Sequence, residues 1–141
     1  KAIDQDGVVY DLLVTSGAVT LPNGATATEL EVGLHFTSTL KSLRPELQGP
    51  AGTAQARRKR WQTVTPRVYC TRGRLQLGET GTDMAILEYP EGTDTTEAYT
   101  GDMARMPNFG WSREGQLTIQ TLDPKPCTIL ALTGQLEMDD A

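Results

Sequence analysis

Residues 32–61, which read VGLHFTSTLKSLRPELQGPAGTAQARRKRW, decide the fold class. At residues 30–36 apolar side chains alternate with polar or small ones, which is the pattern of a half-buried β-strand. Regular periodicity then disappears across two prolines and two glycines in residues 41–55, and a basic run follows at residues 57–60. A β pattern returns at Trp61. This order of strand, long basic arm and strand predicts a β scaffold that reaches for a partner, not a catalytic pocket.

Length and composition describe an ordinary globular domain. The chain has 141 residues, of which 38% are hydrophobic and 22% are charged, and a chain of this size can bury a substantial core. Even its longest apolar runs, such as residues 129–132, are far shorter than the roughly 18 residues of a membrane-spanning helix, so we expect no membrane insertion. No secretory signal pattern occurs. Because the first residue is Lys1 and not Met, we expect a piece of a longer protein.

Charge is distributed unevenly along the chain. The net charge is −5, yet residues 41–74 hold nine Lys or Arg and a single acid, Glu46. The rest of the chain therefore carries a balance of −13. Such asymmetry bears on partners and not on fold. The basic segment suits either nucleic acid or the acidic face of a neighbouring copy.

Short β patterns separated by Gly, Pro and Asn turns predict an all-β fold. Predicted strands cover residues 8–15, 18–21, 30–34, 63–71, 75–77, 84–89, 116–122 and 127–132. We expect an antiparallel β-sandwich or a partly open barrel with a long basic arm and at most one short helix, for which residues 53–61 are the candidate. Pro66 cannot donate to a ladder, so its strand is expected at an edge or with a bulge. The almost continuous apolar pattern of residues 127–132 predicts a central strand covered on both faces.

The chain divides by pattern into three parts. Residues 1–34 predict a β-hairpin and meander with a tight turn at Gly17, which we expect to be the end of a larger upstream domain. Residues 35–60 are the basic arm, and residues 61–141 are the antiparallel β-sandwich. The strands of the meander alone lack a second layer, so the meander must pack against something else.

The residue patterns of catalytic and metal sites are weak or missing. The two cysteines, Cys70 and Cys127, and the single histidine, His35, are too few to form a structural zinc site easily. We expect buried free thiols, with a disulfide as the alternative, and a solvent-facing imidazole. Asp4 begins a calcium-loop-like pattern whose remaining ligands are absent, and no phosphate-binding loop or nucleophile elbow occurs. We therefore predict no catalytic, cofactor-binding or metal-binding residues, no cofactor and no enzyme activity.

Two sets of residues are candidates for contacts with partners. The basic arm residues are Lys41, Arg44, Arg57, Arg58, Lys59 and Arg60, and the apolar candidates are Met106, Phe109 and Trp111. Three interpretations of the basic set stay open: a solvated surface, a subunit interface in which arginines pair with acids, and contact with DNA phosphates. The arm lacks the interleaved aromatic residues on which single-strand binders stack bases. The apolar set is typical of core packing, or of an interface anchor if it is exposed.

Several ordered motifs resemble a known family. The motifs are residues 32–43 (VGLHFTSTLKSL), 71–73 (TRG), 99–102 (YTGD), 110–111 (GW), 115–119 (GQLTI) and 126–132 (PCTILAL). Together with the basic run ahead of a strand, they resemble the C-terminal region of podovirus-type phage tail nozzle proteins, also called tail tubular protein B. Residues 16–22 are similar to a segment often likened to the first catalytic cysteine half-domain of ubiquitin-activating enzyme, which implies a small β-barrel module and not ubiquitin chemistry. The chain departs from the family pattern at His35, Pro66 and Cys70.

The resemblance implies a structural protein and transfers no active-site residues. It implies a non-enzymatic component of the virion tail, assembled in the bacterial host cytoplasm, with six copies in a ring around the channel through which DNA passes. The expected partners are further copies of the chain, an adaptor ring, and fibre or tail-tip proteins. The alternative from the residues alone is a nucleic-acid-binding module that contacts phosphates through the basic arm.

Overall fold

The computed structural model describes residues 1–46, 48–49, 52–53, 57–79, 83–94, 97–103 and 109–139. The strands are β1 (Ala2–Asp4), β2 (Val9–Tyr10), β3 (Leu30–Val32), β4 (Ser38–Lys41), β5 (Gln48–Gly49), β6 (Gly52–Thr53), β7 (Lys59–Thr71), β8 (Leu75–Gly78), β9 (Ala85–Ile86), β10 (Tyr99–Asp102), β11 (Thr118–Thr121) and β12 (Thr128–Met138). A single 3₁₀ turn, Pro22–Gly24, is the only helical segment within these ranges. The fold is all-β with antiparallel sheets, as the sequence predicts.

Two antiparallel sheets form the body of the fold in a sandwich-like arrangement. One has the strand order β10-β7-β12, and the other has the order β4-β11-β8-β9. Apolar side chains from β7, β8 and β11 meet in a common core. The buried members are Val64, Val68, Leu75, Leu77, Leu87, Met103, Leu117 and Ile119. Burial of side chains of this size contributes about 1.5–3 kcal/mol each, so this core is the main source of the sandwich's stability.

The long strand β7 is central, so the predicted edge position of Pro66 is wrong, whereas the alternative prediction of a bulge is confirmed by shifts in the pairing of β7 with β10 and with β12. Its residues alternate between the faces: Val64, Pro66 and Val68 are buried, whereas Arg67 is exposed. The strand pairs with both β10 and β12. The Pro66 carbonyl accepts a hydrogen bond of 2.9 Å from the amide of Met103 just beyond β10. In an antiparallel ladder the N–H of a residue points to the same side as its carbonyl, so the N–H that proline lacks would point toward the β10 side, where the ladder has ended. Proline therefore removes no hydrogen bond from the β12 ladder.

The strand β12 lies at an edge of its sheet, so the predicted central strand at residues 127–132 is wrong. It runs antiparallel to β7 with register shifts, one of which lies between Ile129 and Ala131. The shift leaves Leu130 out of the pairing, and its side chain is 59% exposed. A bulge changes which side chains face the core, and an apolar run in the sequence does not reveal it.

The N-terminal meander is a three-stranded sheet in the order β2-β1-β3. Its central strand β1 has three residues, too few for a periodic signal in the sequence. The predicted hairpin pairs only at its tip, where Thr15 and Ala18 exchange two hydrogen bonds of 3.0 Å. The turn residues Ser16 and Gly17 have φ values of 53° and 77°, the positive values that a type I′ turn needs. In the described part of the chain, residues 11–14 belong to no ladder.

Other elements lie at their predicted positions with different lengths. The strands β8 and β11 overlap their predicted ranges, whereas only two of residues 84–89 form β9. Residues 38–41, in the predicted basic arm, form β4 and pair with β11, so this part of the arm belongs to the sandwich. Of the candidate helix at residues 53–61, Lys59 already begins β7, and residues 54–56 lie outside the described ranges.

Both cysteines are free thiols. Cys127 is half-buried, and this burial raises the pKa of its thiol. Cys70, which the sequence predicts to be buried, is exposed because its backbone adopts a φ of 43°. This left-handed conformation interrupts the in-and-out alternation of β7 beside a shift in its pairing with β10, as a β-bulge does.

Candidate interaction surface

The structure separates the six basic candidate residues instead of presenting them as one arm. Lys41 is exposed on β4. Arg44 forms an ion pair with Glu114. Arg58 is exposed, whereas Arg57 is half-buried. The position of each residue along the fold, and not the basic composition of the segment, decides which charges reach the surface.

Lys59 is the least exposed of the basic candidates. Its side chain is 1% exposed, and its alkyl stem packs beside Gly115. Its backbone pairs with Ser112 through hydrogen bonds of 2.6 and 2.9 Å. Lys59 therefore does not contribute to the exposed basic surface that the sequence predicts.

Arg60 makes two contacts within the chain. Its Nη2 donates to Oε2 of Glu137 at 2.6 Å, and its guanidinium lies 5.1 Å from the centre of the Trp111 ring. Gln62 also donates to Glu137 Oε2, at 3.0 Å. The hydrogen bonds from Gln62 and Arg60 hold the pKa of Glu137 below its usual value. Arg60 thus forms a charge-assisted hydrogen bond and a cation–π contact that tie β12 and Trp111 to β7.

The three apolar candidates have different surroundings. Met106 lies outside the described residues. Phe109 packs against the sandwich core. Trp111 is 40% exposed and lies against Arg60. Of the two described members of this set, Trp111 presents the larger surface to a partner.

An exposed apolar surface lies at, and just beyond, the stretch where the sequence predicts a half-buried strand. Leu34 is 96% exposed, Phe36 77%, Val32 54% and Leu40 50%; we call these four residues the apolar row. The expected burial of this face is wrong: even Leu30–Val32, the part of the predicted strand that joins a sheet, is exposed at each residue. Exposed apolar side chains that lie together mark interaction sites. Alternation in the sequence indicates an apolar face but does not say whether the same chain covers it.

A groove runs beside the apolar row. Its larger part, of about 520 Å³, is lined by residues that include Phe36, Leu40, Cys127 and Ile129. A smaller part, of about 230 Å³, lies against the meander and meets the larger part at Phe36 and Pro124. Since β4 and β12 are edge strands of different sheets, this groove is a seam at which the sandwich stays open.

The strand β4 leaves part of its backbone unpaired. Ser42 donates its amide to the Leu117 carbonyl at 2.7 Å, and backbone groups alternate in direction along an antiparallel ladder. The backbone N–H and C=O of Leu40 therefore face β11, whereas the backbone groups of Thr39 and Lys41 point away from it. No described strand pairs with this outer side. Such an edge can accept a further strand.

The N-terminal hairpin also exposes apolar side chains. We call residues 11–21 the hairpin finger. Leu13 is 84% exposed and Val14 is 61% exposed. At the tip, no described atom beyond the chain neighbours lies within 4 Å of the position that a Gly17 Cβ would occupy. The finger is therefore a second exposed apolar element, separate from the apolar row.

Residues that resemble catalytic or metal-binding groups in the sequence make contacts within the fold. His35 is exposed as predicted, and its Nε2 lies 3.3 Å from the Leu122 carbonyl. The Asp4 carboxylate accepts hydrogen bonds from the amides of Asp6 and Val8 at 3.0 and 2.9 Å, so the calcium-loop-like stretch is a turn closed by its own side chain. Among the described residues, no group of three or more His, Cys, Asp or Glu is placed to hold a metal ion.

Comparisons with known proteins do not assign this chain to a family. Comparison of the chain with protein-family models and with curated proteins finds no match. In the part of the chain that the structure describes, no helix has the length and apolarity that crossing a membrane requires. Function is therefore inferred from the exposed surfaces and from the motifs in the sequence.

Proposed function

We propose that this chain is a non-enzymatic structural component of a bacteriophage tail, within the nozzle or tail tube, that assembles with copies of itself around the DNA exit channel. The observation that carries the proposal is the apolar row beside an open groove, with Leu34 96% and Phe36 77% exposed. A monomer in water rarely leaves such side chains together at its surface. Their exposure supports a function in which another polypeptide covers them.

The same stretch of sequence carries the resemblance and the exposed surface. Residues 32–43 resemble tail nozzle proteins, and they contain the apolar row and β4. In the proposed function, six copies form a ring in the virion tail after assembly in the host cytoplasm. An adaptor ring and fibre or tip proteins contact this ring, and DNA passes through its channel.

The distribution of charge supports an oriented contact between copies. Residues 1–34 contain five carboxylates and a single base, Lys1, whereas residues 41–74 carry the basic excess. Opposite charges on two surfaces speed encounter and fix orientation more than they add affinity. A ring of identical copies brings two such different surfaces together at every joint.

The exposed Lys41 and Arg58 support a second candidate function, which is contact with DNA phosphates. It is the weaker one, because Lys59 is buried and Arg60 and Arg44 form ion pairs within the chain. It predicts DNA affinity that falls steeply with salt, since each phosphate contact releases counterions.

Sedimentation velocity of the full-length protein, with and without duplex DNA, separates the two functions. The assembly proposal predicts a closed oligomer in the absence of DNA. A protein that stays monomeric at all concentrations and binds DNA only at low salt would contradict it and favour the second candidate.

A further inference from the structure

We propose that the hairpin finger of one copy adds as a strand to the open edge of β4 in the next copy. The inference rests on the proposed function, because it names the contact through which the copies assemble. The partner is a second copy of this chain, and the contact joins two different surfaces of the fold.

The acceptor is β4 with the groove behind it. Thr39 and Lys41 point backbone donors and acceptors outward, and no described strand pairs with them. Phe36, Leu40 and Ile129 line the adjoining groove, which has a volume of about 520 Å³. A strand laid along this edge gains main-chain hydrogen bonds there and places its alternate side chains in the groove.

The donor is the first half of the hairpin finger. Residues 12–15 read LLVT, a β-prone apolar sequence. In the described structure only Thr15 of these residues forms a ladder contact, to Ala18. Leu13 and Val14 are 84% and 61% exposed. The segment is an exposed apolar stretch that belongs to no sheet, and β4 is an edge with which no further strand pairs among the described residues.

Charge complementarity points to a second copy as the occupant. The Asp11 side chain at the base of the finger is 83% exposed, although its carboxylate lies 3.4 Å from Lys1 Nζ. The acceptor carries the exposed Lys41 on β4, whereas the groove wall behind it holds Lys125 together with Asp123, whose carboxylate is already paired within its own chain. The acidic meander of one copy and Lys41 on the β4 edge of the next attract each other, and like charges oppose the contact of two meanders or of two β4 edges.

A contact between the hairpin finger and the β4 edge can also generate a closed assembly. Because the finger and the β4 edge are different surfaces, each copy donates to one neighbour and accepts from another. Such a heterologous contact generates a ring when the rotation closes, and a filament when it does not.

A substitution at the outward-facing backbone tests the acceptor. Thr39→Pro removes an N–H that points away from β11, so the ladder inside the sandwich is kept, and proline is tolerated at such edge positions. A carbonyl of the incoming strand then lacks the donor that Thr39 supplies, so we expect self-association of the full-length protein to weaken about tenfold or more. Thr39→Ala, which keeps the N–H, is the matched control and is expected to assemble normally. Normal assembly of a folded Thr39→Pro protein overturns the proposal.

A disulfide trap tests the donor and does not depend on the proline variant. In a background with Cys70→Ser and Cys127→Ala, one population carries Leu13→Cys and the other carries Thr39→Cys. Under mild oxidation we expect a cross-linked dimer in the mixture, since each population alone holds only one partner of the contact. Asn23→Cys, an exposed position outside the finger, replaces Leu13→Cys in the control mixture. Equal cross-linking from Leu13→Cys and Asn23→Cys overturns the proposal.

The outcomes distinguish this inference from the proposed function. If the wild-type protein forms no oligomer, the assembly function fails, and the strand contact fails with it. If the wild type forms rings and both Thr39→Pro and the disulfide trap behave as their controls do, the rings are held by other surfaces. In that case the strand contact alone is wrong.

Discussion

Arg60 and Glu137 lie directly opposite each other on β7 and β12, and the Arg60 guanidinium donates to the Glu137 carboxylate at 2.6 Å. The pair sits where the basic run of the sequence enters the sandwich. A residue that the sequence offers for contact with a partner therefore holds two strands of its own chain together.

We expect charge reversal at Arg60 to destabilise the fold before it affects assembly. Arg60→Glu places two carboxylates opposite each other on neighbouring strands, which is unfavourable, and removes the cation from the Trp111 ring. The thermal midpoint of Arg60→Glu should be lower than that of the wild type. The exchange variant Arg60→Glu/Glu137→Arg should recover part of the loss, and no recovery would show that the pair itself contributes little.

Lys59 and Arg58 are chain neighbours with opposite environments, and they should respond differently to the same substitution. Lys59→Glu buries a carboxylate where the side chain is 1% exposed, and we expect the melting temperature to fall by more than about 5 °C. Arg58→Glu changes an exposed residue and should leave the melting temperature almost unchanged. Similar melting curves for the two variants would contradict the buried position of Lys59.

The fold class follows from the sequence, because strand alternation and turn residues are local signals. The alternating face of Val64 and Val68 and the tight turn at Gly17 are both present in the structure. Strand order is a non-local property, so the sequence does not show that Pro66 lies in a central strand or that residues 127–132 belong to an edge. Those positions depend on bulges and on where neighbouring ladders end.

The candidate surface was less predictable than the fold. The basic run at residues 57–60 is prominent in the sequence, but alternation along β7 buries Lys59 and pairs Arg60 with an acid. Three members of the apolar row, Val32, Leu34 and Phe36, belong to an alternating pattern in the sequence, and burial is the ordinary expectation for such a pattern. Its exposure depends on the absence of a covering layer among the described residues, which no local signal reports.

Stability at low pH should depend on Asp123. Arg74 donates to its carboxylate from the backbone at 2.8 Å and from Nη2 at 2.9 Å, and these contacts hold the pKa of Asp123 below its usual value of 3.8. A carboxyl whose pKa is lowered on folding stabilises the fold above 3.8, and this contribution is lost as the pH falls through the lower, folded value. The stability of Asp123→Asn should therefore depend less steeply on pH between 3.8 and that lower folded value. An unchanged slope would contradict this role.

The apolar row should matter for assembly and not for folding. In the double variant Leu34→Ser/Phe36→Ser, the replaced side chains are 96% and 77% exposed, so the melting temperature should change by less than about 2 °C. Self-association should weaken about tenfold or more, because apolar area buried between copies is lost. Sedimentation equilibrium measures the association, and Leu77→Ser, in the core, is the control that should unfold the protein. Unchanged association of the double variant would remove the apolar row from the contact.

Cryo-electron microscopy of the full-length protein tests the central claim most directly, since the claim is that another copy covers the apolar row and the β4 edge. We predict a six-fold ring with a central channel, in which the hairpin finger of one copy lies along Thr39 and Lys41 of the next. A monomeric particle, or a ring in which the apolar row and the β4 edge remain exposed to solvent, would contradict the account.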